Sequence, residues 1–240
     1  MLNPDQITIW CISLRVSDPE LNYLEGLLAE DEKIRSDRYK FDFHRRRFII
    51  ARANLRIILG NYLQIEPQDL KFTYSSKGKP FIANQQNPDR NLEFNLSHSE
   101  DLAVCAVTWN SVVGIDLEYR KSINQIQSLS ERFFTQAESQ IILDHDSDPA
   151  KFLKIWTLKE AYLKATGEGL GKLSEVSTIW EQGEITRLAV NQIPLDWTIY
   201  QFGDSLWDAY RRNFPYQGYI VSVVSPYSKA IKLHHSSHNS

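Results

Sequence analysis

The run Val112-Val113-Gly114-Ile115-Asp116-Leu117-Glu118 places two carboxylates two residues apart inside an apolar segment. On a β-strand successive side chains alternate faces, so Asp116 and Glu118 share one face and Ile115 and Leu117 the other. At about 3.3 Å per residue the two acids stand about 6.5 Å apart along the strand. Such a pair repels itself unless a cation lies close by. Hard carboxylate oxygens suit Mg²⁺, which keeps coordination positions for water and substrate phosphate. An ordinary exposed strand face would explain the pair without any metal.

Three further segments carry chemistry. In Trp156-Thr157-Leu158-Lys159-Glu160-Ala161-Tyr162-Leu163-Lys164-Ala165-Thr166-Gly167, helical spacing puts Trp156, Glu160 and Lys164 on one line, with Lys159 beside it. A surface Glu–Lys pair at i, i+4 accounts for the two charges, but not for a tryptophan on the same line. Covering that line would require a partner for its charges, and a metal or a phosphate would serve. Phe94-Asn95-Leu96-Ser97-His98-Ser99-Glu100-Asp101 offers a hydroxyl and an imidazole at a strand end. These suit phosphate binding or a Ser/His hydrolase, although Ser, Asn and Asp also cap turns for purely local reasons. Lys77-Gly78-Lys79-Pro80-Phe81 is a basic turn whose Gly and Pro set the backbone.

The elements that must position these residues follow from composition and periodicity. The chain has 240 residues, a formal net charge of −3 and 42% hydrophobic residues, which excludes a disordered, collagen-like or coiled-coil protein. No apolar stretch is long enough for a transmembrane helix, and the N-terminus lacks a signal-peptide pattern, so a cytoplasmic protein is expected. Cys11 and Cys105 lie in apolar runs and read as buried free thiols. Charge is segregated: residues 1–32 hold seven acids and one base, and residues 33–56 hold nine bases and two acids. The basic block could attract phosphates or an acidic protein, or could be a solvated helical face.

Periodicity predicts strands at 7–14, 71–74, 81–83, 92–96, 102–109, 112–118, 176–181, 185–190, 196–202 and 218–225. It predicts helices at 20–40, 44–63, 130–144 and 150–166. In the second of these Phe48, Ala51, Leu55, Leu59 and Tyr62 form a stripe. Asp148 should cap the last helix and Gly167 should stop it. The order strand, helices, strands occurs twice. The expected fold is therefore α+β: two similar lobes, 1–110 and 111–228, packed around a central cleft, followed by a polar tail at 229–240.

Taken together and in order, GKPF, FNLSHSED, VGIDLE and WTLKEAYLKATGEGL resemble the 4′-phosphopantetheinyl transferases, specifically the large two-lobed surfactin-type group. The resemblance spans residues 30–170 or so. It implies transfer of the phosphopantetheine arm of coenzyme A to a serine of an apo acyl or peptidyl carrier protein, with release of 3′,5′-ADP. It implies Mg²⁺, with Mn²⁺ as a substitute, held by Asp116, Glu118 and Glu160. It further implies that Ser97 and His98 reach the nucleotide's phosphates and that Lys159, Lys164 and Lys79 bind coenzyme A. A basic residue on the early helix meets the 3′-phosphate: Arg47 matches best, with Arg35 and Lys33 as alternatives. Glu160, Lys159 and His98 are the candidate catalytic residues, and Glu160 is also a candidate general base. The carrier partner is acidic, and Lys121 within 119–127 is the candidate rim for it. A monomer that binds neither nucleic acid nor membrane is expected.

Rival motifs fail on context. Gly203-Asp204-Ser205-Leu206 spells a lipase block, but it lies late in the chain and no Asp follows Asp208. Gly167 to Lys172 imitates a phosphate loop, but it follows a helix, is one residue short, and has Leu173 in place of Ser/Thr. A nucleic-acid binder using residues 33–56 would leave the acids at 116, 118 and 160 unexplained.

Overall fold

The computed structural model describes residues 4–88, 92–143, 148–203 and 217–235. It divides into two compact units, Met1–Asn110 with Ala230–Ser240, and Ser111–Lys229. Each mixes helices with antiparallel sheet, an α+β architecture.

The first unit runs β1 (Gln6–Ser13), α1 (Asp18–Gly26), α2 (Glu30–Asp37), α3 (Asp42–Leu63), β2 (Phe72–Tyr74), β3 (Pro80–Ile82), β4 (Leu92–Ser99) and β5 (Leu102–Trp109). Strand β5 is buried along its whole length and pairs antiparallel with both β1 and β4. Cys11 and Cys105 are buried free thiols in this sheet. The single helix expected over 20–40 is two helices. Ser17 caps α1, and the chain turns at Leu27–Ala29 before the Glu32 carboxylate takes the Ala29 N–H at 2.9 Å to start α2. Helix α3 buries far more than the expected stripe: Ile49, Ile50, Ala53, Asn54 and Arg56 are also covered.

The second unit runs β6 (Gly114–Tyr119), α4 (Ile126–Phe133), α5 (Gln136–Leu143), α6 (Pro149–Thr166), β7 (Val176–Glu181), β8 (Glu184–Val190), β9 (Ile193–Pro194), β10 (Thr198–Phe202) and β11 (Tyr219–Ser225). Here β11 lies between β10 and β6, and β7, β8 and β9 form a separate sheet. The helix expected over 130–144 is interrupted because Thr135 starts a new one. Its Oγ1 takes the Glu138 N–H at 3.3 Å and Glu138 takes the Thr135 N–H at 2.8 Å, a reciprocal cap. Helix α6 begins at an Asp148 cap bonded to the Ala150 N–H at 2.8 Å and stops at Gly167 with φ 78°.

One expectation is overturned at the C-terminus. Residues 229–240 read as a polar tail, but Ala230–His235 form a strand, β12, parallel to β1 in the sheet of the first unit. Tail polarity hid this: Ile231 and Leu233 supply the alternation, and the His234 ring stacks on Trp10 at 4.8 Å.

Gly114 determines how closely β6 approaches α6. A Cβ at this position would lie 1.8 Å from the Ala161 carbonyl oxygen and 2.9 Å from the Ala165 Cβ. No side-chain rotation relieves a clash with backbone. Gly114→Ala should therefore destabilise the protein by about 3 kcal/mol, the upper end of the overpacking range. Chemical denaturation followed by circular dichroism checks this; an unchanged midpoint would show that the helix and strand can separate freely.

Candidate active site

Because Gly114 faces α6, the residues in phase with it on β6, Asp116 and Glu118, face α6 as well. Ile115 and Leu117 are buried on the opposite face. Asp116 is 2% exposed, and its Oδ1 accepts a hydrogen bond from Lys164 Nζ at 2.7 Å. The same ammonium donates to the Ile115 carbonyl at 3.4 Å. Glu160, one turn before Lys164, receives a hydrogen bond from the indole of Trp156, one turn earlier still. This line is therefore partly covered, and Trp156 itself packs against Phe133 and Phe152.

Charge crowding shows in the titration of Glu160. Its carboxyl is pushed up to about 8, first by burial and then by the negative charge of Asp116. Lys164 and the Trp156 N–H oppose the shift, while Glu118 adds to it. The three carboxylates are thus electrostatically coupled, although no trio of His, Cys, Asp or Glu side chains converges at ligating distance among the described residues. Lys164 supplies the positive charge that Asp116 meets here. The donor set, carboxylate oxygens only, fits a hard divalent cation such as Mg²⁺ or Mn²⁺.

Lys159, expected to bind coenzyme A, has a partner within the protein. Its side chain is fully buried and its ammonium is held by Glu138 Oε2 at 2.7 Å, not by the carboxylates at 116, 118 or 160. Burial lowers the Lys159 pKa, and Glu138 acts against that shift. Lys159 projects about 100° around the helix from Glu160, which turns it toward α5 and β7. Sequence reasoning missed Glu138 and Thr178, whose only sequence signal was the Thr135-x-x-Glu138 cap.

The remaining candidates belong to the first unit. Ser97 and His98 are adjacent in β4, which continues through Ser99 beyond its expected end at 96. Regular pairing with Val104 and Ala103 puts them on opposite faces: Ser97 is buried and His98 exposed. Lys79 follows a turn in which Ser75 Oγ accepts its N–H at 3.0 Å, with Gly78 at φ 83°. Its Nζ lies 5.3 Å from the Phe81 ring centre; burial lowers its pKa, and the charge of Glu93 opposes that shift.

Four of the nine bases pair with acids of the acidic block. Arg45 pairs with Glu25, Arg46 with Asp18 at 2.7 Å, and both Arg52 and Arg56 with buried Glu32. Burial alone would raise the Glu32 pKa, but the Arg56 hydrogen bond and the Arg52 charge hold it below the usual range. Arg47, the best early-helix match, is also engaged, bonding to Glu100 at 3.3 Å and Asp101 at 3.2 Å. Arg35 instead lines a pocket of about 690 Å³ with Arg38, Arg52, Tyr39, Phe48 and Tyr74, and with the acids Asp31 and Glu32, its guanidinium 5.2 Å from the Phe48 ring centre. That volume is in the range of small-molecule sites.

Of the rival motifs, Leu170–Glu175 forms a 3₁₀ helix directly after α6, with no strand feeding a phosphate loop. Asp204, Ser205 and Leu206 lie outside the described residues. No helix among the described residues is long and apolar enough to cross a membrane.

The raised Glu160 pKa has a signed consequence for stability. Between the ordinary value of 4.5 and about 8, the folded protein keeps a proton that the unfolded chain has released. Stability without metal should therefore fall as pH rises through that window. Thermal melts at pH 5 and pH 8 should show a smaller loss for Glu160→Gln than for the parent. Equal losses would show that Glu160 titrates normally.

A model described as 4′-phosphopantetheinyl transferase superfamily matches residues 112–224, and one described as 4′-phosphopantetheinyl transferase, N-terminal, matches residues 15–110. The chain is 43% identical over 174 residues to the 4′-phosphopantetheinyl transferase HetI of Nostoc sp., covering 72% of this chain and 73% of that protein. It is 31% identical over 180 residues to psf-1 of Bacillus pumilus, covering 73% and 74% of the two chains. Against Sfp of Bacillus subtilis it is 32% identical over 141 residues, covering 58% and 59%. The chain belongs to the 4′-phosphopantetheinyl transferase family.

Proposed function

We propose that this protein transfers 4′-phosphopantetheine from coenzyme A to a serine hydroxyl of an apo carrier protein. The observation that carries this reading is the coupling of Glu160 on α6 to Asp116 and Glu118 on β6, with Lys164 on the same helical line. In the reaction the serine oxygen bonds to the phosphorus that bears the pantetheine arm. The bond from that phosphorus to the bridging oxygen breaks, and 3′,5′-ADP leaves with the electron pair. Asp116, Glu118 and Glu160 would hold Mg²⁺ or Mn²⁺, which when bound supplies charge neutralisation at the pyrophosphate. Lys164 adds a second positive charge at that group. Glu160, ionised once a cation offsets its acidic neighbours, accepts the serine proton.

Recognition of the nucleotide falls to the first unit. Arg35 and Arg38 in the pocket, rather than the ion-paired Arg47, support contact with the 3′-phosphate, and Lys79 and His98 are further candidates for the coenzyme A phosphates. Ser97 is buried in β4. The exposed Arg120 and Lys121 after β6 suit an acidic carrier surface.

Mass spectrometry of an apo carrier protein incubated with this protein, coenzyme A and Mg²⁺ should show gain of the phosphopantetheine mass; no gain with several carriers would refute the reading. Arg35→Ala should weaken coenzyme A by about 1.5–3 kcal/mol while leaving 3′-dephospho-coenzyme A nearly unaffected. Equal losses in calorimetric titrations with the two nucleotides would remove Arg35 from the 3′-phosphate. Glu160→Gln should lose activity that raising Mg²⁺ restores only in part, because base assistance is worth about 10²–10⁴-fold. Full recovery at saturating Mg²⁺ would assign the proton to another acceptor.

A further inference from the structure

The Lys159 ammonium and the Glu138 carboxylate are the most deeply buried opposite charges of the second unit, 0% and 1% exposed. The ammonium also donates to the Phe133 carbonyl at 3.4 Å and lies 4.7 Å from the Phe134 ring centre. Glu138 in turn accepts from three elements. Its Oε2 takes Lys159 from α6, and the Thr135 N–H at 2.8 Å and hydroxyl at 3.1 Å from the start of α5. Its Oε1 takes the N–H and the hydroxyl of Thr178 in β7, both at 2.7 Å. Thr178 is itself oriented by the Trp180 indole at 2.9 Å. Both carboxylate oxygens are fully used.

A buried ion pair of this kind gives little net stability, because desolvation offsets the attraction. Its effect is directional: the ammonium finds its partners at only one rotation of α6. Successive helical side chains project about 100° apart, so holding Lys159 toward α5 and β7 turns Glu160 toward β6 and its two acids. A phosphate group could reach an ammonium with no exposed surface only by dismantling all of these bonds.

We infer that Glu138 and Lys159 are positioning residues that aim Glu160 at the metal site, and that Lys159 touches neither coenzyme A nor the reacting phosphorus. This rests on the reading of Glu160 as a metal ligand. The pair acts on that ligand from outside the coordination shell, where supporting groups orient the ligands and tune metal affinity.

The test compares calorimetric Mg²⁺ binding and Mg²⁺-dependent turnover in the parent, Glu160→Gln, the double variant Glu138→Gln/Lys159→Met, and Thr178→Val. The double variant removes both charges and so leaves none stranded. Thr178→Val keeps the shape and removes one donor, and it decides the matter alone if the double variant does not fold. Parent protein should bind Mg²⁺, and Glu160→Gln should bind it more weakly. The double variant should lose about 10-fold in Mg²⁺ affinity, with turnover close to parental once Mg²⁺ saturates. Thr178→Val should shift affinity in the same direction by less. Folded variants with parental Mg²⁺ affinity would overturn the inference. So would a rate deficit at saturating Mg²⁺ larger than that of Glu160→Gln, since loss of Glu160's own duties could not account for it and Lys159 would be marked as a substrate contact. If the parent binds no Mg²⁺, or Glu160→Gln binds it equally well, the metal reading itself fails, an outcome distinct from failure of the positioning role.

Discussion

The close approach of β6 to α6 at Gly114 is the constraint on which the chemistry depends. With no side chain there, the Ala161 carbonyl occupies space that any other residue would fill. Asp116 and Glu118 follow Gly114 in phase along the strand, while Glu160 and Lys164 flank Ala161 along the helix. A small increase in separation would weaken the coupling among all four charges, because electrostatic interaction in a poorly hydrated site depends strongly on distance. One glycine thus links a packing requirement to the properties of the site.

Both units solve the same problem, how to bury charge without stranding it. In the first unit Glu32 is shared by Arg52 and Arg56, and Arg56 also donates to the carbonyls of Pro67 and Leu70 at 2.8 and 2.9 Å. In the second, Glu138 gathers Lys159, Thr135 and Thr178. Every oxygen in these networks has a donor, and a half-satisfied network would cost more than an apolar core. Glu160 and Asp116 are arranged differently. They face like charge, and Lys164 offsets only part of it. That imbalance sets the cluster apart from the two satisfied networks.

Much of this was legible from the residues. Alternation in Ile115-Asp116-Leu117-Glu118 correctly separated a buried apolar face from an acidic one, and Trp156 correctly marked a partly covered helical line. Asp148 and Gly167 bounded α6 as their capping chemistry requires. Other features depended on distant partners. Nothing local to Lys159 tells that Glu138 will reach it, and nothing in Arg45-Arg46-Arg47 tells that acids from α1 and the β4–β5 turn will neutralise each in turn. The breaks within 20–40 and 130–144 escaped because periodicity continues across interruptions of only three and two residues. Strand β12 escaped because its histidines obscured the alternation of Ile231 and Leu233.

The central claim is that Asp116, Glu118 and Glu160 form one electrostatically coupled group whose repulsion a divalent cation relieves. Carbon-detected NMR titration of the side-chain carboxyl of Glu160, with and without Mg²⁺, addresses it most directly. Without metal the resonance should titrate near 8, and Mg²⁺ should move that midpoint down toward the ordinary carboxylate range. A midpoint near 4.5 that Mg²⁺ leaves unchanged would contradict the account.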